Sequence, residues 1–133
     1  MKEAAARIIA RLAHAGQKYG NDPYITHIWR VVERVKKHED ATFGDVVLAW
    51  LHDTVEDTTL GFIDLDDLGY DTSDLRVITR HRHDTYAEYI KKIRLSPSAM
   101  MVKVADLEEN LSHNPTPSHR RRYEDALEVL KAW

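Results

Sequence analysis

Apolar residues recur along this chain at helical spacing, and the breaks between the runs are made of Gly, Pro, Asn, Asp, Ser and Thr. Residues 2–19 are rich in Ala and Arg and set Ile8, Ile9, Leu12 and Ala13 on one face, which predicts a first helix. Gly20-Asn21-Asp22-Pro23 ends it. Asp22 is a good N-cap and Pro23 a good first residue for a second helix, in which Ile28, Val31, Val32 and Val35 share a face and His27 lies on or beside it. Thr42 followed by Asp45 is a capping-box-like start for a third helix that carries His52 and Asp53. Residues 60–69, acidic and bounded by glycines, read as a loop with one short helix. Asp71 or Ser73 can cap a fourth helix through Leu75, Val77 and Ile78, and Asp84 a fifth through Tyr86, Tyr89, Ile90 and Ile93. Ser96-Pro97 opens a long helix over 98–111, and Thr116-Pro117 repeats the device for 118–133. No window alternates with period two over a strand's length. The pattern predicts an all-α fold of about six to eight helices, with residues 1–133 as a single domain.

A chain of 133 residues is long enough to bury a core without staples. It has no cysteine, so a metal site here must use imidazole nitrogen and carboxylate oxygen. No apolar run approaches the ~18 residues of a membrane span, and the N-terminus opens an amphipathic helix, so a cytoplasmic protein without a membrane partner is expected. The net charge of −3 argues against nucleic acid as a partner, whereas a local group of Lys and Arg could still hold a small anion. Homo-oligomers are left open.

The candidate chemistry begins where Val46-Val47-Leu48-Ala49-Trp50-Leu51 runs into His52, Asp53, Glu56 and Asp57. Charge at the end of a buried run costs several kcal/mol, of order 3–5, unless it is paired or bound to a cation. On one continuous helix His52 would lie over Glu56 and Asp53 over Asp57. The run Met100-Met101-Val102-Lys103-Val104-Ala105-Asp106-Leu107 repeats the oddity, with Asn110 one turn beyond Asp106. By itself Asp106 reads as a carboxylate paired with a nearby cation. With His27, His52 and Asp53 it completes two imidazoles and two carboxylates from three helices, a donor set suited to Mn, Fe or Zn.

Three motifs in this order resemble an HD-domain phosphohydrolase, and their arrangement is similar to the hydrolase domain of the RelA/SpoT family and its small alarmone hydrolases. They are Ala13-His14-Ala15-Gly16-Gln17 leading to Pro23-Tyr24-Ile25-Thr26-His27, then Leu51-His52-Asp53-Thr54-Val55-Glu56-Asp57-Thr58, then Val102-Lys103-Val104-Ala105-Asp106 with Asn110. The resemblance implies a helical HD-domain fold with His27, His52, Asp53 and Asp106 as ligands of one divalent ion, Mn²⁺ favoured and Fe²⁺, Zn²⁺ or Ni²⁺ as alternatives. It implies that Glu56 and Asp57 position and deprotonate the attacking water, and that Asn110 faces the substrate. The implied reaction is removal of pyrophosphate from the 3′-oxygen of guanosine 3′,5′-bis(diphosphate). An HD-type nucleotidase or phosphodiesterase of another nucleotide is the alternative, and a nucleotide-binding or interaction module without catalysis is a third reading.

Other residues carry two readings each. His14 is expected to be a core histidine bonded to a backbone carbonyl. Lys18 or Tyr19 is expected to stand in for an Arg that alarmone hydrolases carry near the nucleotide, in a loop that is shorter here. Lys103 and Arg80 are expected to meet substrate phosphates, although Arg80-His81-Arg82-His83 also reads as a solvated loop. Arg120-Arg121-Arg122 reads as an exposed helix start, with a phosphate or partner contact as the other reading. Trp29, Trp50 and Trp133 are assigned to the core or an interface.

Overall fold

The computed structural model describes residues 3–132, and Trp133 and the start of the first predicted helix lie outside them. Among these residues the fold is all-α apart from one pair of two-residue strands. In chain order the helices are α1 (Glu3–Ala13), α2 (Tyr24–Lys36), α3 (Phe43–Leu51), α4 (Thr54–Asp57), α5 (Phe62–Asp67), α6 (Ser73–Ile78), α7 (Tyr86–Ile93), α8 (Pro97–Ser112) and α9 (Pro117–Lys131). No helix among the described residues is long and apolar enough to cross a membrane.

Three helices make the centre of the core. α2 packs on both α3 and α8, and α3 on α8. Ile28, Val31, Val32 and Val35 meet Leu48, Ala49, Trp50, Leu51, Val102, Ala105 and Leu107, all buried. Burying one such aliphatic side chain contributes about 1.5–3 kcal/mol. The same packing positions the polar residues, because His27 precedes Ile28, His52 follows Leu51, and Asp106 stands between Ala105 and Leu107.

The first helix is shorter than its sequence pattern. It stops at Ala13, and Lys18–Tyr19 (β1) pairs antiparallel with Asp22–Pro23 (β2), with Gly16 and Gly20 at φ +84° and +61° on either side of β1. Two glycines in the left-handed region turn the chain where a helix would have to carry it straight on. The expected apolar face is also displaced. Ala6 and Ala10 are the buried residues of α1, whereas Ile8 and Leu12 are 55% and 74% exposed. α1 packs on α3, and small side chains let the two backbones approach closely. Trp29 is likewise half exposed, while Trp50 is buried with its Nε1–H donating to Glu3 Oε1 at 3.2 Å.

Most starts follow the caps read from the sequence. The Thr42 and Asp45 capping box opens α3, and Ser96 and Thr116 cap α8 and α9 ahead of Pro97 and Pro117. Three expectations are corrected. Thr72, not Asp71 or Ser73, stands at the N-cap of α6, without a side-chain cap bond. Helix α2 begins at Tyr24 with no side-chain cap from Asp22, whose carboxylate instead lies 3.9 Å from Arg30. Thr85, not Asp84, caps α7, and Asp84 is drawn to Lys92 at 2.9 Å. Thr85 accepts from the Glu88 amide while Glu88 accepts from the Thr85 amide. Thr85→Ala is therefore expected to cost about 1 kcal/mol, read as a lower urea midpoint at unchanged m-value.

Candidate metal centre

The chain does not run through His52 and Asp53 as one helix. α3 ends at Leu51, His52 keeps helical angles, and Asp53 sits at φ −103°, ψ 0° before α4 restarts at Thr54. That backbone region is sparsely used and recurs at active sites. The expected stacking of His52 over Glu56 along one helix is thus replaced by a corner. The break turns Asp53 toward His52 and leaves Glu56 and Asp57 in the next short turn.

His27, His52, Asp53 and Asp106 converge there. One ligand atom from each lies within 4.8 Å of the other three. His27 Nε2 is 2.9 Å from Asp106 Oδ1, and His52 Nε2 is 3.2 Å from Asp53 Oδ2 and 3.6 Å from Asp106 Oδ1. A cation with bonds of about 2.1 Å holds its ligands no more than about 4.2 Å apart, so little closure is needed to ligate one. His52 Nδ1–H donates to the Ala49 carbonyl at 2.7 Å, which fixes the tautomer and aims the Nε2 lone pair into the cluster. That buried Nε2 has no well-formed hydrogen bond among the described residues. An orphaned imidazole nitrogen beside two carboxylates fits a divalent cation of mixed nitrogen and oxygen preference.

Neighbours hold the cluster in place. Tyr24 donates its hydroxyl to Asp53 Oδ2 at 2.7 Å, and Lys103 Nζ donates to Asp106 Oδ2 at 3.0 Å. Tyr19 stacks on His27 at 4.4 Å between ring centroids and donates to Asn110 Oδ1 at 2.6 Å. His14 is buried as expected, but it bonds the Gln17 side chain at 2.8 Å rather than a backbone carbonyl. Gln17 in turn donates to the Asp57 carbonyl at 2.9 Å, tying the first turn of the chain to the acidic pair.

The charges set one another. Burial opposes ionisation of Asp53, yet the adjacent His52 brings its carboxyl down to about 2. Asp106 is held well below the usual carboxylate range, against burial, by Lys103 and the two imidazoles. Burial likewise disfavours a charged His52, but Asp53 and Asp106 outweigh it and hold the imidazole well above its usual value. Glu56 and Asp57 move the other way, raised by burial and then by Asp53 beside them. Asp53, Glu56 and Asp57 offer oxygens within 4.8 Å of one another, so these carboxylates repel. Two carboxyls with raised pKa values next to two with lowered ones is the division seen where one pair binds and the other accepts protons.

A pocket of about 310 Å³ opens on the cluster and is lined by His27, Asp53, Glu56, Asp57 and Asp106 together with Tyr19, Arg80, Lys103 and Asn110. Of the residues expected to meet substrate, only Lys18 is not in that lining; it is exposed on β1. Tyr24, Tyr86, Tyr89 and Tyr123 also line it and were not expected there, as does Arg122, for which a phosphate contact is the second reading from the sequence. The spacing of Tyr86 and Tyr89 gave a helix face and nothing more, and Arg122 was read with the exposed start of α9. No protein-family model matches the chain, and no curated protein matches it significantly.

Proposed function

We propose that this protein is a divalent-metal-dependent phosphohydrolase of a small nucleotide, with removal of 3′-pyrophosphate from guanosine 3′,5′-bis(diphosphate) as the favoured reaction. The convergence of His27, His52, Asp53 and Asp106 beside the raised-pKa pair Glu56 and Asp57 carries this reading. The order of the three sequence motifs supports it. His27, His52, Asp53 and Asp106 would hold the ion, Mn²⁺ by preference. Such an ion, when bound, polarises a phosphoryl oxygen and makes water a better nucleophile near neutral pH.

The chain's own residues supply the rest. Glu56 or Asp57, whose carboxylates hold a proton more readily than usual, takes the proton from the attacking water at a carboxylate oxygen. Tyr24 keeps Asp53 from rotating toward that pair. Lys103 offsets part of the charge of the phosphate to be cleaved, which would otherwise be repelled by the carboxylates. The position of Lys18 outside the pocket removes one residue expected near guanine, and it favours keeping another nucleotide as the second reading.

The test is to incubate Mn²⁺-loaded protein with nucleoside mono-, di- and triphosphates, cyclic dinucleotides and guanosine 3′,5′-bis(diphosphate), and to identify the released product. Pyrophosphate from the last supports the favoured reaction, and phosphate or a cleaved diester from another the second reading. Tight binding without turnover would leave a binding module, and turnover unaffected by chelation would remove the metal from the account.

A further inference from the structure

We infer that Arg80 and Arg122, converging on the ring of Tyr86, form a second anion subsite that anchors a phosphoryl or diphosphoryl group the protein does not cleave. The inference deepens the proposed function, since it takes the His and Asp cluster as the place where cleavage occurs.

Two neighbouring segments and one distant in sequence build this corner of the pocket: Arg80 just after α6, Tyr86 at the start of α7, and Arg122 in α9. The Arg122 guanidinium carbon lies 3.8 Å from the Tyr86 centroid and that of Arg80 5.6 Å. Stacking on an aromatic face fixes a guanidinium plane and leaves the N–H groups on its edge free to donate. The two forks lie no farther apart than those lengths end to end, within reach of one diphosphate.

Their charge is also available. Arg34, Arg76, Lys92 and Lys103 each sit on a carboxylate within 3.1 Å. Among the described residues neither Arg80 nor Arg122 forms a salt bridge; the Arg80 side chain donates to the Asp84 carbonyl at 3.4 Å. Two guanidiniums held over one ring without a counter-ion repel each other, and a bound dianion relieves that while accepting paired hydrogen bonds from each fork. Lys103 belongs to the other centre, because its ammonium is already on Asp106. The pocket therefore has an acidic end with an orphaned imidazole and a cationic end with unpaired arginines. A ligand that satisfies both is a nucleotide phosphorylated at two positions, one group at each end.

Guanosine 3′,5′-bisphosphate, guanosine 3′-monophosphate and guanosine 5′-monophosphate are the probes, titrated calorimetrically into wild type, Arg80→Gln, Arg122→Gln, Arg122→Lys and the double Gln variant. With Mn²⁺ present the bisphosphate is expected to bind wild type about tenfold more tightly than either monophosphate. The double variant is expected to lose that advantage while its Mn²⁺ content stays the same, and Arg122→Lys to recover it only in part. A double variant that binds the bisphosphate as wild type does overturns the subsite. The two readings fail separately. If the protein takes up no Mn²⁺ and cleaves nothing, arginine-dependent binding of the bisphosphate in chelator still upholds the subsite. Cleavage with affinity indifferent to both arginines upholds the hydrolase and removes the subsite.

Discussion

Asp53→Asn is expected to lower nucleotide hydrolysis by on the order of a thousandfold while the helices remain folded. Asparagine keeps the shape of the side chain and can still accept the Tyr24 hydroxyl bond, but it gives up the negative charge that Asp53 supplies to the cluster. Removing one partner of a buried ion pair ordinarily costs about 3–5 kcal/mol. Here two neighbours soften that loss. His52 still has Asp106 at 3.6 Å, and Glu56 and Asp57 are freed from the carboxylate that raises them. The melting temperature of the metal-free variant should consequently stay close to that of wild type, whereas bound metal, measured by elemental analysis, should fall well below one ion per chain. Tyr24→Phe makes the matching control, because it leaves the charge and removes only the bond that orients it. Loss of such an outer hydrogen bond typically costs about 10–100-fold in metal affinity or activity. If Asp53→Asn keeps a large part of wild-type turnover, or if Tyr24→Phe is the more damaging change, the assignment of Asp53 as a ligand is wrong.

The helices were legible because their ends carry side-chain signals. Thr42 with Asp45, Ser96 with Pro97 and Thr116 with Pro117 each satisfy free helix-start amides locally, whatever the rest of the chain does. Three of the four cluster residues were legible for a related reason: charge embedded in apolar runs at His52, Asp53 and Asp106 has few inexpensive explanations. What failed was decided by packing over longer distances. Ala6 and Ala10 are buried in place of Ile8 and Leu12 because α3 approaches α1 closely, and helical period cannot rank two apolar stripes that lie side by side. The kink at Asp53 leaves no mark, since no Gly or Pro interrupts residues 46–58. Arg122 and Tyr86 meet across a separation that no local pattern encodes, so the contact is not legible, although Arg121 and Arg122 are exposed as the basic run at the start of α9 suggests. The hairpin was concealed by the brevity of its strands, two residues being too few to show alternation.

Adding Mn²⁺ at about a hundred times its dissociation constant is expected to stabilise the fold by about 2.7 kcal/mol, which for a domain of this size is about 10 °C in melting temperature. The size of that gap should depend on pH in a definite direction. Metal ligation requires neutral imidazole. In the metal-free protein burial works against a charged His52, but Asp53 and Asp106 hold its pKa well above the usual value of about 6.5. The proton on His52 therefore stabilises the metal-free fold fully below the unfolded imidazole pKa, and this contribution is lost as pH rises through the raised one. The stabilising carboxylates do not change over that range. Asp53 and Asp106 have lowered values, so what they contribute is present above the unfolded carboxyl pKa and is lost only in acid. Raising the pH from about 6 to about 8.5 consequently weakens the metal-free fold and strengthens the hold on the ion. The difference in melting temperature with and without Mn²⁺ should widen across that interval, and in His52→Ala it should collapse at every pH. A gap that narrows as pH rises, or one that His52→Ala preserves, would mean that the ion binds somewhere other than the cluster built by α2, α3 and α8.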